Sequence, residues 1–192
     1  MTQRISVFGT ARSREGDADY EEARLMGRLL AEAGYEVCTG GYRGAMEAVS
    51  RGAHEAGGHV VGITVEPWSG WLTPNQYLKE EIATANLFNR LERLVDCSVL
   101  VAMHGGAGTL AEVALAWNLM QLGDIQARAL VLVGPAWRQL LDTFADTLIV
   151  NEQDMALLHY AETPAAVMAM LPTLLETPPQ QGYRSNYPLI RG

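Results

Sequence analysis

The segment Val99–Glu112, V-L-V-A-M-H-G-G-A-G-T-L-A-E, most narrows what this chain can fold into. A short apolar run of strand character passes through glycines directly into a run of helical composition. That order exposes backbone N–H groups to an anion. Gly105, Gly106 and Gly108 carry no Cβ, so a phosphate can approach the main chain, and the helix N-terminus adds a favourable partial positive charge. From Ala107 to Gln121 the only ionisable residue is Glu112, so the helix reads as largely buried, with one carboxylate on the face of Gly108 and Thr109. The same letters admit a plainer reading. Thr109-x-x-Glu112 fits a capping box, with Thr109 as N-cap and the glycines making only a tight turn.

The strand–loop–helix order repeats along the chain. Ile5–Phe8 predicts a buried strand ended by G-T-A-R-S; Asp17–Ala33 is an amphipathic helix closed at Gly34; Tyr35–Thr39 is the next strand. Gly40-Gly41-Tyr42-Arg43-Gly44 opens a helix over Ala45–Ala56, and His59–Thr64 follows as a third strand. Beyond lie a helix near Asn86–Val95 with the stripe Leu87, Phe88, Leu91, Leu94 and Val95, then the segment described above. A strand at Leu130–Val133, a helix near Trp137–Phe144, a short strand near Leu157–Tyr160 and a helix over Pro164–Leu175 complete the pattern. Helical crossovers of this length build a parallel sheet, which makes the chain α/β. Each glycine-rich turn follows a strand, so all three fall on the carboxyl edge, where such sheets bind ligands. Gly9, Thr10, Gly40, Gly41 and Arg43 are therefore candidates for the ligand edge.

Composition narrows the chemistry. At 192 residues and 48% hydrophobic content, one core is expected: a single domain over residues 1–176, with 177–192 a Pro/Gln/Gly-rich tail. A net charge of −8 without any basic run argues against nucleic acid as a partner. No apolar run is long enough to span a bilayer, and M-T-Q-R-I-S-V-F lacks a signal-peptide pattern, so a cytoplasmic protein with no membrane partner is expected. Lys79, in the charged stretch Y-L-K-E-E, is the only lysine. That excludes a lysine-bearing phosphate loop and leaves a pyridoxal Schiff base no desolvated lysine. His54, His59, His104 and His159 form no metal-spaced pair, and Cys38 and Cys97 read as buried thiols, so no metal site is expected.

One stretch is irregular. V-E-P-W-S-G-W-L-T-P-N-Q at 65–76 holds Trp68 and Trp71, which are costly to leave in water. They anchor the loop to its own domain, line a ligand pocket or make a subunit contact.

G-G-A-G-T-L-A-E at 105–112 resembles the P-G-G-x-G-T-x-x-E motif of the LOG (LONELY GUY) family, and L-F-N-R-L-E-R-L at 87–94 resembles that family's M-x-x-R-K-x-x-M helix. V-F-G-T-A-R-S and the stretch from Gly40 to Thr64 are similar to its first two phosphate-edge turns, so the resemblance spans roughly residues 4–145. It implies a Rossmann-like, doubly wound parallel sheet with helices on both faces. It also implies a homodimer and hydrolysis of the N-glycosidic bond of a nucleoside 5′-monophosphate to free base and ribose 5-phosphate. On that resemblance Arg90 and Glu112 are the catalytic pair, and Gly105, Gly106, Gly108 and Thr109 the phosphate loop. Two positions depart from the pattern: His104 stands for proline and Leu91 for lysine.

The chemistry is reasonable on its own terms. Cleavage at C1′ builds positive charge on the sugar, which a carboxylate stabilises, and it needs no metal or redox cofactor. An arginine suits phosphate because its planar fork stays charged. The pattern is also similar to molybdenum-cofactor carrier proteins, which leaves a non-catalytic nucleotide or molybdenum-cofactor carrier as the alternative. A regulatory nucleotide sensor on the same sheet is a third reading. In each the partner is a nucleoside monophosphate or a related phosphate-bearing small molecule.

Overall fold

The computed structural model describes residues 3–127 and 129–176. Along the chain run β1 (Arg4–Phe8), α1 (Ala18–Glu32), β2 (Glu36–Thr39), α2 (Ala45–Glu55), β3 (Val60–Val65) and β4 (Glu80–Thr84). Then come α3 (Leu87–Val95), β5 (Val99–Ala102), α4 (Ala107–Leu122), β6 (Leu130–Val133), α5 (Pro135–Thr147), α6 (Glu152–Met155), β7 (Leu158–Ala161) and α7 (Pro164–Glu176). The strands form one sheet in the order β4-β3-β2-β1-β5-β6-β7, and every pairing is parallel.

Alternation along the strands sorts the core into two layers. Ile5, Val7, Val99, Val101 and Val131 pack under α1, α2 and α7. Phe8, Leu100, Ala102, Leu130 and Leu132 face the other way, under α3, α4 and α5. A sheet covered on both faces needs apolar residues at every position, which is why β3, β5 and β6 are buried throughout. The result is a single-domain, Rossmann-like, doubly wound α/β fold.

Strand order reverses between β1 and β5. From β1 the chain steps outward to β4, then returns through α3 to lay β5 on the other side of β1. Crossovers leave this point toward opposite faces, so a crevice opens beyond the ends of β1 and β5. The turns there are tied together, Thr10 N–H donating to the His104 carbonyl at 3.1 Å.

Three differences from the sequence reading have physical causes. Tyr77–Thr84, to which the sequence pattern assigns no element, contains β4. Its residues E-E-I-A-T carry little apolar signal because β4 is an edge strand; β3 supplies its ladder, and exposed Glu80 and Glu81 discourage further pairing. The apolar stripe of α3 divides: Leu94 and Val95 are buried, whereas Phe88 is 81% exposed. Thirdly, Asn151 and Asp154 make a capping box that starts the short α6, too brief to show a helical period. The tail at 177–192 lies outside the described residues. Among the described residues no helix is long and apolar enough to cross a membrane.

Candidate active site

Asn86 caps α3, its side chain accepting the Asn89 N–H at 3.0 Å, which fixes the first turn and aims Arg90 at the sheet. Arg90 is 6% exposed. Its Nε donates to the Ile63 carbonyl at 2.9 Å and its Nη2 to the Gly40 carbonyl at 3.1 Å. Nη1 lies 3.5 Å from Oε1 of Glu112, and the ring of Tyr42 sits 5.7 Å from the guanidinium carbon. An apolar side chain would leave those two carbonyls without this donor.

Glu112 reaches this pair from α4. Burial pushes its carboxyl up to about 7, against the pull of Arg90. Burial also pulls the Arg90 guanidinium below its ordinary value, with Glu112 opposing the shift, yet arginine stays charged at neutral pH. The pair is thus a fixed cation beside a carboxyl poised near neutrality.

α4 begins at the glycine turn. Its N-cap is Gly106, no side chain caps it, and its first helical bond is Leu110 N–H to the Gly106 carbonyl. Donors ahead of Leu110 have no intrahelical acceptor, and the residues that carry them, Gly106–Thr109, border a cleft. The capping-box reading does not hold: Thr109 is the third residue of the helix and buried, and Glu112 pairs with Arg90. Gly105 has a steric role, since a Cβ there would collide with the Thr109 side chain.

These groups line one cleft of about 750 Å³, within the ~300–1,000 Å³ typical of small-molecule sites. Arg90, Glu112, Gly105, Gly106, Gly108 and Thr109 all border it, as do Gly9, Thr10 and Arg43. Gly40 and Gly41 do not; they are buried behind its wall, where Gly40 supports Arg90 and the Gly41 N–H donates to Thr39 Oγ1 at 3.1 Å. Trp68 and Trp71 line the cleft as well, in the turn that follows β3.

Several lining residues escape the sequence pattern. Tyr42 and Arg12 lie within the glycine-rich turns but look like ordinary turn residues, and Met46 like a helix core position. Asp19 comes from α1 and meets His104 Nδ1 at 2.9 Å on the rim. Only the fold joins these two, although His104 replacing the family's proline was a usable signal.

Known proteins resemble this arrangement. The chain is 37% identical over 93 residues, 46% of its length, to a cytokinin riboside 5′-monophosphate phosphoribohydrolase of Arabidopsis thaliana, but spans only 40% of that protein. An uncharacterized protein of Archaeoglobus fulgidus is 37% identical over 116 residues, 58% of this chain and 72% of that one. Among solved structures, the molybdenum cofactor binding protein of Rippkaea orientalis superposes with a TM-score of 0.73 at 25% identity, covering 91% of this chain and 98% of its own. The molybdenum cofactor carrier protein of Chlamydomonas reinhardtii gives 0.67 at 26% identity, over 91% and 99%. The SLOG cluster4 family model matches residues 2–166, a stretch that takes in the sheet, the glycine turns and the Arg90–Glu112 pair, and the chain belongs to that family.

Proposed function

We propose that this protein is a nucleoside 5′-monophosphate phosphoribohydrolase of the cytokinin-activating type, cleaving the N-glycosidic bond to free base and ribose 5-phosphate. The observation that carries this reading is the buried Arg90–Glu112 pair bordering a cleft whose rim is an uncapped helix start. The N–H groups at Gly106–Thr109 hold the 5′-phosphate, and that remote binding energy positions the sugar. As the bond from C1′ to the base nitrogen breaks, positive charge grows on the sugar, and ionised Glu112 stabilises it. Water supplies the oxygen that bonds to C1′. One of its protons passes to Glu112, whose pKa near neutrality suits a proton acceptor, and solvent water supplies the proton with which the leaving nitrogen departs. Arg90 holds the carboxylate in place and keeps it partly ionised.

The test is incubation of the purified protein with AMP, followed by chromatography. Adenine and ribose 5-phosphate in equal amounts support the reading, and AMP recovered intact refutes it.

A carrier for a nucleotide or for molybdenum cofactor is the second reading, favoured by the likeness to cofactor-binding proteins over more than nine-tenths of both chains and by Leu91 in place of a family lysine. There Glu112 serves only to hold Arg90. Both readings include a homodimer. Its support is the exposed apolar surface on α3 and α4, with Phe88 81%, Leu110 40% and Leu122 38% exposed.

A further inference from the structure

Four side chains form a continuous ladder from the buried pair outward. The Arg90 guanidinium lies 5.7 Å from the Tyr42 ring, Tyr42 lies 6.0 Å from Trp68, and Trp68 lies 5.7 Å from Trp71. Exposure rises along it: Tyr42 is buried and Trp68 half-buried, while Trp71 is 68% exposed. Tyr42 is locked, its hydroxyl oxygen accepting the Val65 N–H at 2.8 Å. The turn that carries the indoles is held by its backbone, with Trp71 N–H and Leu72 N–H both donating to the Trp68 carbonyl at 2.9 and 2.8 Å. Trp68, packed on Tyr42, suffices as the anchor of this loop. The Trp71 indole is not needed for that, and it lines the cleft.

Sheet order sets the span. The glycine turn follows β5 and the indoles follow β3, and β1 and β2 lie between. Three strand spacings of ~4.8 Å separate them, on the order of 14 Å. A phosphate at the glycine turn therefore leaves room for a sugar over the Arg90–Glu112 pair and for a further group toward the indoles. An exposed aromatic face is best covered by another flat π system.

We propose that Trp71, backed by Trp68 and Tyr42, is the stacking platform for the planar ring attached to the phosphate-bearing part of the ligand, and so the side chain that sets how strongly that ring is held. This deepens the functional reading above and rests on it. Stacking rewards ring area, so a purine gains more than a pyrimidine.

The test is calorimetry in a Glu112→Gln background, where AMP turnover is slowed by about 10²–10³, with ribose 5-phosphate, CMP, AMP and a pterin monophosphate as probes. AMP is expected to bind more tightly than CMP, and CMP more tightly than ribose 5-phosphate. Adding Trp71→Ala lowers AMP affinity by about tenfold to a hundredfold, the range of one base–aromatic stack, and leaves ribose 5-phosphate within about twofold. Trp71→Phe restores most of the loss. An exposed site makes both variants fold normally, which thermal melts check. An AMP to ribose 5-phosphate ratio unmoved by Trp71→Ala overturns the platform. Ribose 5-phosphate binding with no gain from any ring also overturns it and leaves the phosphate site standing, whereas no binding of any probe overturns the reading of the site and the platform with it. A pterin monophosphate that binds more tightly than AMP, with the same dependence on Trp71, supports the platform and identifies the ring as a pterin.

Discussion

Gly40 and Arg90 occupy adjoining space. The Gly40 carbonyl accepts from Arg90 Nη2 at 3.1 Å, and a Cβ on Gly40 would fall on that same nitrogen. The arginine is fixed by a missing methyl group as much as by its hydrogen bonds. Gly40→Ala is expected to displace the guanidinium, destabilise the protein by about 1–3 kcal/mol and depress base release. Gly108→Ala makes the contrast, because nothing lies within 4 Å of a Cβ there. It should fold at least as stably, gaining up to about 1 kcal/mol from a better helix former, yet bind phosphate less well because the methyl group borders the cleft. Urea unfolding and ribose 5-phosphate titration of the two variants separate these effects.

Glu112→Gln keeps size and much of the hydrogen bonding but removes the charge. Turnover of AMP should fall by about 10²–10³, and nucleotide affinity should stay within roughly tenfold. Chromatographic product assays and calorimetry measure the two quantities. Wild-type turnover with no loss in the variant would contradict the role given to this carboxylate.

The raised pKa of Glu112 has two consequences, and their signs differ. In the proposed hydrolysis base release requires the ionised form, so kcat should rise with pH and level off above about 7. Stability moves the other way. Between the ordinary carboxylate value of 4.5 and about 7 the folded protein keeps a proton that the unfolded chain has released. Stability therefore falls as pH rises through that window, and the cost is complete above it, at about 1.4 kcal/mol per pKa unit. Thermal melts of wild type and Glu112→Gln across this range should diverge in favour of the glutamine variant as pH increases.

Arg90→Ala should be the most destabilising of these changes. It leaves the Ile63 and Gly40 carbonyls without their donor and Glu112 buried without its cation, a loss of about 3–5 kcal/mol for a broken buried pair. Nucleotide binding should weaken as well. Urea midpoints below wild type, together with weaker AMP binding in the folded fraction, are the expected result.

Phe88 and Leu110 test the dimer. Light scattering at micromolar concentration should give twice the chain mass for wild type. Phe88→Asp combined with Leu110→Asp should give the monomer mass, because each puts a charge on an apolar surface that a second copy would cover. A monomeric wild type would refute this prediction.

Much of this protein is legible from the chain alone, because burial writes itself into local pattern. Short, mostly apolar runs at β1, β3 and β5 declare buried strands, and the glycines after β1 and β5 declare where the chain must turn closely. Glu112 stands out as the one ionisable residue in an apolar helix, and Arg90 through its motif. Edge strand β4 is silent because one neighbouring strand and cover for little more than Ile82 demand few apolar residues. Tyr42, Arg12 and Asp19 are silent because cleft membership depends on which strand ends lie side by side, and strand order is set by crossovers rather than by local composition. Thr109 and Glu112 mark the boundary most clearly. Their spacing is equally a capping box and a functional pair, and sequence cannot choose between them. Tertiary structure decides, because the fold brings a buried guanidinium within 3.5 Å of the carboxylate, a stronger partner than the backbone N–H that a cap would have offered.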